Sequence, residues 1–162
     1  MGRAAVSTFA AQSPSRVAPG ASGVMKYMLD TNFCIHLIQR QPRALIERLQ
    51  VLDFGEAVLS SIVLAELQRG VERDPDVRPQ AQRALAAFLA LFPVLAFDDL
   101  AARSYGVLRA ALPDRKRDAL DRLIAAHALG LGLTLVTNNL SDFAGYPGLK
   151  VESWVREQGA AG

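Results

Sequence analysis

The sequence predicts an α/β fold in which a mainly parallel sheet of four to five strands is flanked by helices on both faces. Short apolar runs alternate with segments of helical period, and this order is typical of a parallel sheet with helical crossovers. Polar clusters follow two of the apolar runs, at the edge where such sheets form their ligand sites. A chain of 162 residues fits one domain with a substantial core.

The individual elements follow from hydrophobic period and from capping residues. Pro42 suits the first turn of a helix, and Ser60 or Ser61 suits the N-cap of the next one. The predicted strands cover residues 26–30, 57–60, 93–97, 133–137 and 149–152. The predicted helices cover residues 33–40, 42–49, 62–71, 79–91, 98–112 and 117–129.

The two ends of the chain are predicted to lie outside the domain. Residues 1–24 are rich in Ala, Ser, Gly and Pro and contain no acid. They lack the apolar centre of a secretory signal, although an acid-poor segment with Arg and Ser has some likeness to a transit peptide. We expect a flexible tail, or a start assigned too early with Met25 as the functional one. The domain is predicted over residues 25–155, with a C-terminal tail over residues 156–162.

Composition is that of an ordinary soluble globular protein, with 51% hydrophobic and 21% charged residues. No stretch reaches the roughly 18 consecutive apolar residues that a membrane span needs. The lone Cys34 cannot form an internal disulfide, so nothing demands an oxidising compartment and we expect a cytoplasmic protein. Because Cys34 lies in an apolar helical pattern, it is predicted to fill the core.

Three carboxylates, those of Asp30, Glu66 and Asp121, lie in strongly apolar runs. Such acids cost desolvation energy unless something compensates them, and a divalent cation is the usual compensator. The cluster Thr137-Asn138-Asn139 ends another apolar stretch, at the same predicted edge of the sheet. Mg²⁺ or Mn²⁺ prefers oxygen ligands and can activate water for attack on a phosphodiester. The pattern therefore suits metal-assisted phosphodiester hydrolysis.

Each acid also has a plainer interpretation. Asp30 is a good N-cap for the helix that follows it. Glu66 could be an ordinary surface residue of its helix. Asp121 could form an ion pair with Arg117 or Arg122. These alternatives stay open when the acids are taken one at a time, and the case for a common site comes from their joint placement.

Charge gives a weaker signal, since a formal net charge of +2 does not demonstrate a nucleic-acid partner. The densest basic cluster, Arg115-Lys116-Arg117, comes just before Asp121. It is either a solvated loop at a helix start or a contact for a phosphate backbone beside the acids.

Four ordered motifs, together with the C-terminal tail of the domain, carry a family resemblance. They are residues 28–32 (MLDTN), 60–70 (SSIVLAELQRG), 121–129 (DRLIAAHAL) and 135–139 (LVTNN), followed by the tail over 143–154. In this order they resemble PIN-domain ribonucleases, and especially the VapC toxins of type II toxin–antitoxin pairs. The resemblance covers residues 25–154.

The resemblance implies a metal-dependent endoribonuclease that cuts single-stranded or looped RNA, such as parts of tRNA or rRNA. Asp30, Glu66 and Asp121 match the three acids that hold Mg²⁺ or Mn²⁺ in the family. Thr137 matches a hydroxyl that helps to order the catalytic site.

Asn139 stands where many PIN domains have a fourth acid. An amide can bond to a metal-bound water but carries no charge, so this residue predicts a site nearer to one ion than two. Asp142 is a nearby substitute for the missing acid, although a role as helix cap is the favoured interpretation.

The resemblance also implies protein partners: a cognate antitoxin docked across the helical residues 33–38 and 62–67, and a second copy in a homodimer. The cations Arg115, Lys116 and Arg117 are expected to contact the RNA backbone. His127 and Trp154 are expected to pack in the core or behind the site, and His127 is not expected to act as a general base.

Two rival classes of protein fit these residues less well. A phosphatase of the haloacid dehalogenase type needs a second Asp two residues after Asp30, and that position is Asn32. A receiver domain needs paired early acids and a Lys after a late strand, which the 137–139 cluster does not offer. A non-catalytic binding module of PIN shape is the alternative that stays open, because of the uncharged Asn139.

Overall fold

The computed structural model describes residues 24–112 and 119–155. Five parallel strands form a sheet in the order β3-β2-β1-β4-β5. The strands are β1 (Tyr27–Leu29), β2 (Ala57–Ser60), β3 (Val94–Leu95), β4 (Thr134–Val136) and β5 (Lys150–Glu152). The helices are α1 (Thr31–Arg40), α2 (Arg43–Gln50), α3 (Ser61–Glu72), α4 (Arg78–Leu89), α5 (Asp99–Ala111) and α6 (Ala119–Gly130), and a 3₁₀ helix spans Leu140–Phe143.

Three helices begin at or shortly after the end of a strand, and each is capped by the side chain of the residue before it. Asp30 follows β1 and accepts from the N–H of Thr31, and Ser60 ends β2 and accepts from the N–H of Ile62 at 3.1 Å. Asp98 caps α5 by accepting from the N–H of Ala101 at 3.0 Å. Because each cap satisfies an otherwise unpaired helix donor, the chain turns from strand to helix at the carboxyl edge of the sheet.

Helix α6 carries the chain from this edge back to the amino ends of the strands. It ends next to the start of β4, where Gly132 adopts a positive φ of 67° and the N–H of Leu133 bonds to Ala128 at 2.9 Å. This tight connection requires α6 to run antiparallel to β4. The first turn of α6, which contains Asp121, therefore lies toward the carboxyl edge.

The predicted elements are confirmed, with shifts at their ends. Strand β3 pairs over two residues where five were predicted, because it is an edge strand and only Val94 and Leu95 meet β2. Helix α4 begins at Arg78 and ends at Leu89, two residues before the predicted end. The predicted start of α6 at residue 117, and the two predicted tails apart from Val24, lie outside the described residues.

The core lies between the central strands and the helices on both faces. Met28, Leu29, Leu59 and Leu135 on the strands are fully buried. Cys34, His127 and Trp154 are also buried, which confirms their predicted packing roles. Within the described ranges, no helix combines the length and apolar character required to cross a membrane.

Candidate active site

Asp30 is the centre of the site at the carboxyl end of β1. Asp30 is 2% exposed, and its two carboxylate oxygens accept separate hydrogen bonds. Oδ1 accepts from the N–H of Thr31 at 2.7 Å, and Oδ2 accepts from Oγ1 of Thr137 at 2.8 Å. Asp30 can therefore cap α1 and also take part in a site, because one oxygen bonds the helix and the other bonds Thr137 after β4.

The electrostatic environment of Asp30 opposes its ionisation. Burial raises the pKa of Asp30 above its ordinary value, although the hydrogen bonds from Thr137 and Thr31 partly lower it. The negative charges of Glu66 and Asp142 raise this pKa further. Among the residues that the structure describes, no Lys or Arg forms an ion pair with Asp30.

Glu66 is connected to Asp30 through one intervening residue. It lies in α3 and is partly buried, and its Oε1 accepts a 2.7 Å hydrogen bond from Oγ1 of Thr31. Since Thr31 directly follows Asp30, the two carboxylates are held on either side of one threonine. Glu66 is therefore not the ordinary surface residue of the plainer interpretation, because it is partly buried and bonded to Thr31.

Asp121 is partly buried in the first turn of α6. The antiparallel return of α6 beside β4 brings it toward the same edge as Asp30. Of its predicted ion-pair partners, Arg117 lies outside the described residues and Arg122 is buried, with 3% exposure.

The segment after β4 orders one side of the site. Thr137 is fully buried, and its Oγ1 accepts from the N–H of Asn139 at 3.1 Å while donating to Asp30. The side-chain oxygen Oδ1 of Asn139 accepts from the N–H of Ser141 at 3.2 Å and from its hydroxyl at 2.6 Å. Asn139 is thus the cap of the 3₁₀ helix, and its amide is engaged there.

Asp142 was predicted to be a helix cap, and this prediction is wrong because Asn139 holds that position. Asp142 lies instead in the first turn of the 3₁₀ helix and is partly buried. Its charge is felt at Asp30, whose pKa it raises after the larger effect of burial. A fourth acid therefore lies near the site, three residues after the expected position.

His127 supports the packing of α6 against the end of β2. Its Nδ1 lies 2.9 Å from Oγ of Ser60, both residues are buried, and the ring meets that of Phe97 edge-on at 5.6 Å. Burial lowers the pKa of His127, which favours the neutral ring. Because Ser60 is fully buried and already caps α3, this pair is structural and not a nucleophile with its base.

Carboxylate oxygens are ligands that Mg²⁺ and Mn²⁺ prefer, and Thr31 holds those of Asp30 and Glu66 near each other. The described residues contain no group of three His, Cys, Asp or Glu side chains that could hold a metal ion, so the predicted ligand set Asp30, Glu66 and Asp121 stays a prediction. The predicted RNA contacts Arg115, Lys116 and Arg117 lie outside the described residues.

Thr31 and Ser60 make side-chain contacts that the sequence does not predict, since Ser60 is predicted only as a helix cap and Thr31 only as part of the motif at residues 28–32. The adjacency of Thr31 to Asp30 was a visible signal. Its bond to Glu66 was not visible, because it joins residues 35 positions apart.

Comparison with known proteins agrees with this fold. A family model described as "PIN domain" matches residues 27–148. Ribonuclease VapC2 of Rickettsia felis is 38% identical over 133 residues, which cover 80% of this chain and 98% of that protein. The tRNA(fMet)-specific endonuclease VapC of Shigella flexneri is 37% identical, over 81% of this chain and 99% of that protein.

A solved structure, DNA-bound VapBC from Salmonella typhimurium, superposes with a TM-score of 0.75 at 35% identity, over 82% of this chain and 100% of that one. The fold is thus that of a PIN domain. Within that class, this chain belongs to the VapC ribonuclease family.

The resemblance, the fold class and the class of enzyme are confirmed at the level of the family. The docking of an antitoxin across residues 33–38 and 62–67 stays a prediction. Within the first segment Phe33, Cys34 and Leu37 are buried in the core, whereas Ile35 and Ile38 are partly buried and face outward enough to meet a partner.

Proposed function

We propose that this protein is a Mg²⁺-dependent endoribonuclease and the toxin of a toxin–antitoxin pair. The observation that carries the proposal is the buried Asp30 carboxylate, which has two fixed hydrogen bonds and no ion-pair partner among the described cations. Membership of the VapC family supports the reaction class, because its relatives are named as ribonucleases and endonucleases.

Asp30, Glu66 and Asp121 would hold the ion. When bound, a divalent ion supplies activation of water and stabilisation of charge on the phosphate. The protein's own contribution is to fix the carboxylates in advance. Thr137 holds one oxygen of Asp30 from β4, and Thr31 holds Oε1 of Glu66 from the start of α1. Such fixed outer contacts reduce the reorganisation that binding and catalysis require.

The number of ions depends on the segment after β4. Asn139 carries no charge and is engaged as a cap, so it does not add to the negative potential. Asp142 supplies charge but is held in the 3₁₀ helix. We expect one tightly bound ion, with Asp142 strengthening the field around it.

The proposed substrate is a structured RNA with an exposed loop, such as tRNA or rRNA. The name of the Shigella flexneri relative specifies tRNA(fMet), which supports the tRNA class. Arg115, Lys116 and Arg117 are proposed to contact the RNA backbone, because cations near an acidic metal site offset phosphate repulsion.

The proposed partners are an antitoxin and a second copy of the chain, in the cytoplasm. Solved neighbours are titled as VapBC complexes from Salmonella typhimurium and Rickettsia felis, which supports an antitoxin for this chain. The homodimer is expected from the family resemblance.

Cleavage of total RNA by the purified chain, with Mg²⁺ or with EDTA, tests the proposal. We expect Mg²⁺-dependent cuts that Asp30→Asn or Asp121→Asn abolishes while the fold is retained by circular dichroism. Glu47→Gln is the matched control, since Glu47 is an exposed acid that pairs with Arg43 on α2. Equal cleavage by folded Asp30→Asn would overturn the mechanism. RNA binding without cleavage would favour a non-catalytic module.

A further inference from the structure

Thr31 contacts both of the acids that the structure brings together. Its N–H donates to Oδ1 of Asp30 at 2.7 Å, and its hydroxyl donates to Oε1 of Glu66 at 2.7 Å. The residue is 6% exposed, so these bonds are largely shielded from water. One residue therefore sets two carboxylates that belong to different elements, the end of β1 and the second turn of α3.

We infer that Thr31 is a positioning residue, which orients Glu66 toward the ion that Asp30 would hold. This inference rests on the proposed function, and it assigns to Thr31 a task beyond starting α1. The hydroxyl bonds only one oxygen of Glu66. Among the described residues Oε2 has no hydrogen-bond partner, so the carboxylate is anchored on one side and available on the other.

The physical need for such an anchor follows from charge and entropy. Glu66 raises the pKa of Asp30, so two like charges lie close enough to repel each other. A glutamate has several rotatable bonds and would relieve this repulsion by turning toward solvent, at a gain in side-chain entropy. A short bond from a shielded hydroxyl to a charged acceptor opposes that rotation.

Helix formation alone does not explain this residue. The hydroxyl of a threonine in the first turn of a helix commonly forms a hydrogen bond with nearby backbone. Here Asp30 already caps α1, and the hydroxyl bonds a side chain 35 positions away. The neighbouring Asn32 is exposed, so it does not share this place in the structure.

The test compares Thr31→Val, which keeps the shape and removes the donor, with Thr31→Ser, which keeps the donor. Mn²⁺ binding to the full chain is measured by calorimetry. We expect Thr31→Val to weaken Mn²⁺ binding by about tenfold or more, as is usual for a lost outer contact, and Thr31→Ser to stay near the wild type. Unchanged Mn²⁺ affinity in folded Thr31→Val would overturn the inference.

A second comparison separates positioning from a general structural effect. In a Glu66→Gln background, Thr31→Val should cause little further loss of Mn²⁺ affinity, because both changes act on one contact. Full additivity of the two losses would contradict the inference. For RNA cleavage, Thr31→Val should lower kcat and leave KM for RNA near its original value.

Two further outcomes keep this inference distinct from the proposed function. If Thr31→Val does not fold, Thr31→Ala is measured in its place with the same expectation. A wild-type chain that neither binds Mn²⁺ nor cleaves RNA would overturn the proposed function. A wild-type chain that does both, together with an unaffected Thr31 variant, would overturn the role of Thr31 alone.

Discussion

Thr137 on the β4 side donates a 2.8 Å hydrogen bond to Oδ2 of Asp30 at the end of β1. Thr137 is fully buried and Asp30 is 2% exposed, so the bond joins two adjacent strands out of contact with water. It also lowers the pKa of Asp30, against the larger opposite effect of burial. The polar segment after β4 thereby favours the charged form of Asp30, which burial disfavours.

Thr137→Val should destabilise the protein by about 1–3 kcal/mol, because it leaves one oxygen of a buried carboxylate without its donor. The valine has nearly the same shape, so packing changes little. Urea unfolding at neutral pH measures the loss, and Thr137→Ser, which restores the hydroxyl, is the control. Equal stability of the valine and serine variants would show that the bond contributes nothing.

Asp30 should make the metal-free protein less stable as pH rises. Its folded pKa is raised, chiefly by burial, so its contribution to stability is fully present below the unfolded pKa of about 4 and is lost as pH rises through the folded pKa. Asp30→Asn cannot ionise. In EDTA, the stability of the wild type relative to this variant should therefore fall as pH rises from about 3 to about 7.

Thermal unfolding of both proteins over this pH range, with and without Mg²⁺, is the measurement. Mg²⁺ should restore the stability of the wild type and leave Asp30→Asn unchanged, because the ion compensates only a charged carboxylate. Glu47→Gln, a change of an exposed acid, controls for net charge. Parallel pH curves for the wild type and Asp30→Asn would contradict the prediction.

The sequence predicts well which strands end in polar residues of the site. The strands before Asp30 and Thr137 are both visible as apolar runs followed by polar residues. The sequence could not predict which side chains touch. The bond from Thr31 to Glu66 depends on how α1 and α3 lie relative to each other, and such packing has no local signature. The cap at Asn139 could not be predicted for a similar reason, since the short 3₁₀ helix that it starts leaves no periodic pattern.

His127 should make the protein less stable in mild acid. Its pKa is lowered chiefly by burial, so its contribution to stability is present above the unfolded pKa of about 6.5 and is lost as pH falls through the folded value. His127→Asn keeps a polar atom near the position of Nδ1, which can still bond to Ser60. The variant should lose less stability than the wild type between about pH 7 and about pH 5.

Urea unfolding at several pH values measures this slope. His36→Asn, a change in α1 of a histidine that is only partly buried, controls for the loss of an imidazole as such. A slope that is the same for the wild type and His127→Asn would show that protonation of His127 does not limit stability in acid.

Asp142 should strengthen metal binding through its charge. It is partly buried in the 3₁₀ helix, and its charge raises the pKa of Asp30, behind burial and Glu66. Asp142→Asn removes the charge and keeps the size of the side chain. We expect Mn²⁺ affinity to fall by about two- to tenfold. This is the size of effect expected when one unit charge is removed from a partly solvated position near the ion.

Asn139→Asp is the matched opposite change. The aspartate keeps an oxygen to accept from Ser141, so the cap and the stability should be preserved, while one negative charge is added next to Thr137. Mn²⁺ affinity should rise in this variant and return toward the wild-type value in the double variant with Asp142→Asn, because the two changes have opposite effects on local charge. Calorimetry on the single and double variants measures both effects. If Mn²⁺ affinity is unchanged in Asn139→Asp and in Asp142→Asn, the ion does not lie close enough to this segment to interact with its charges.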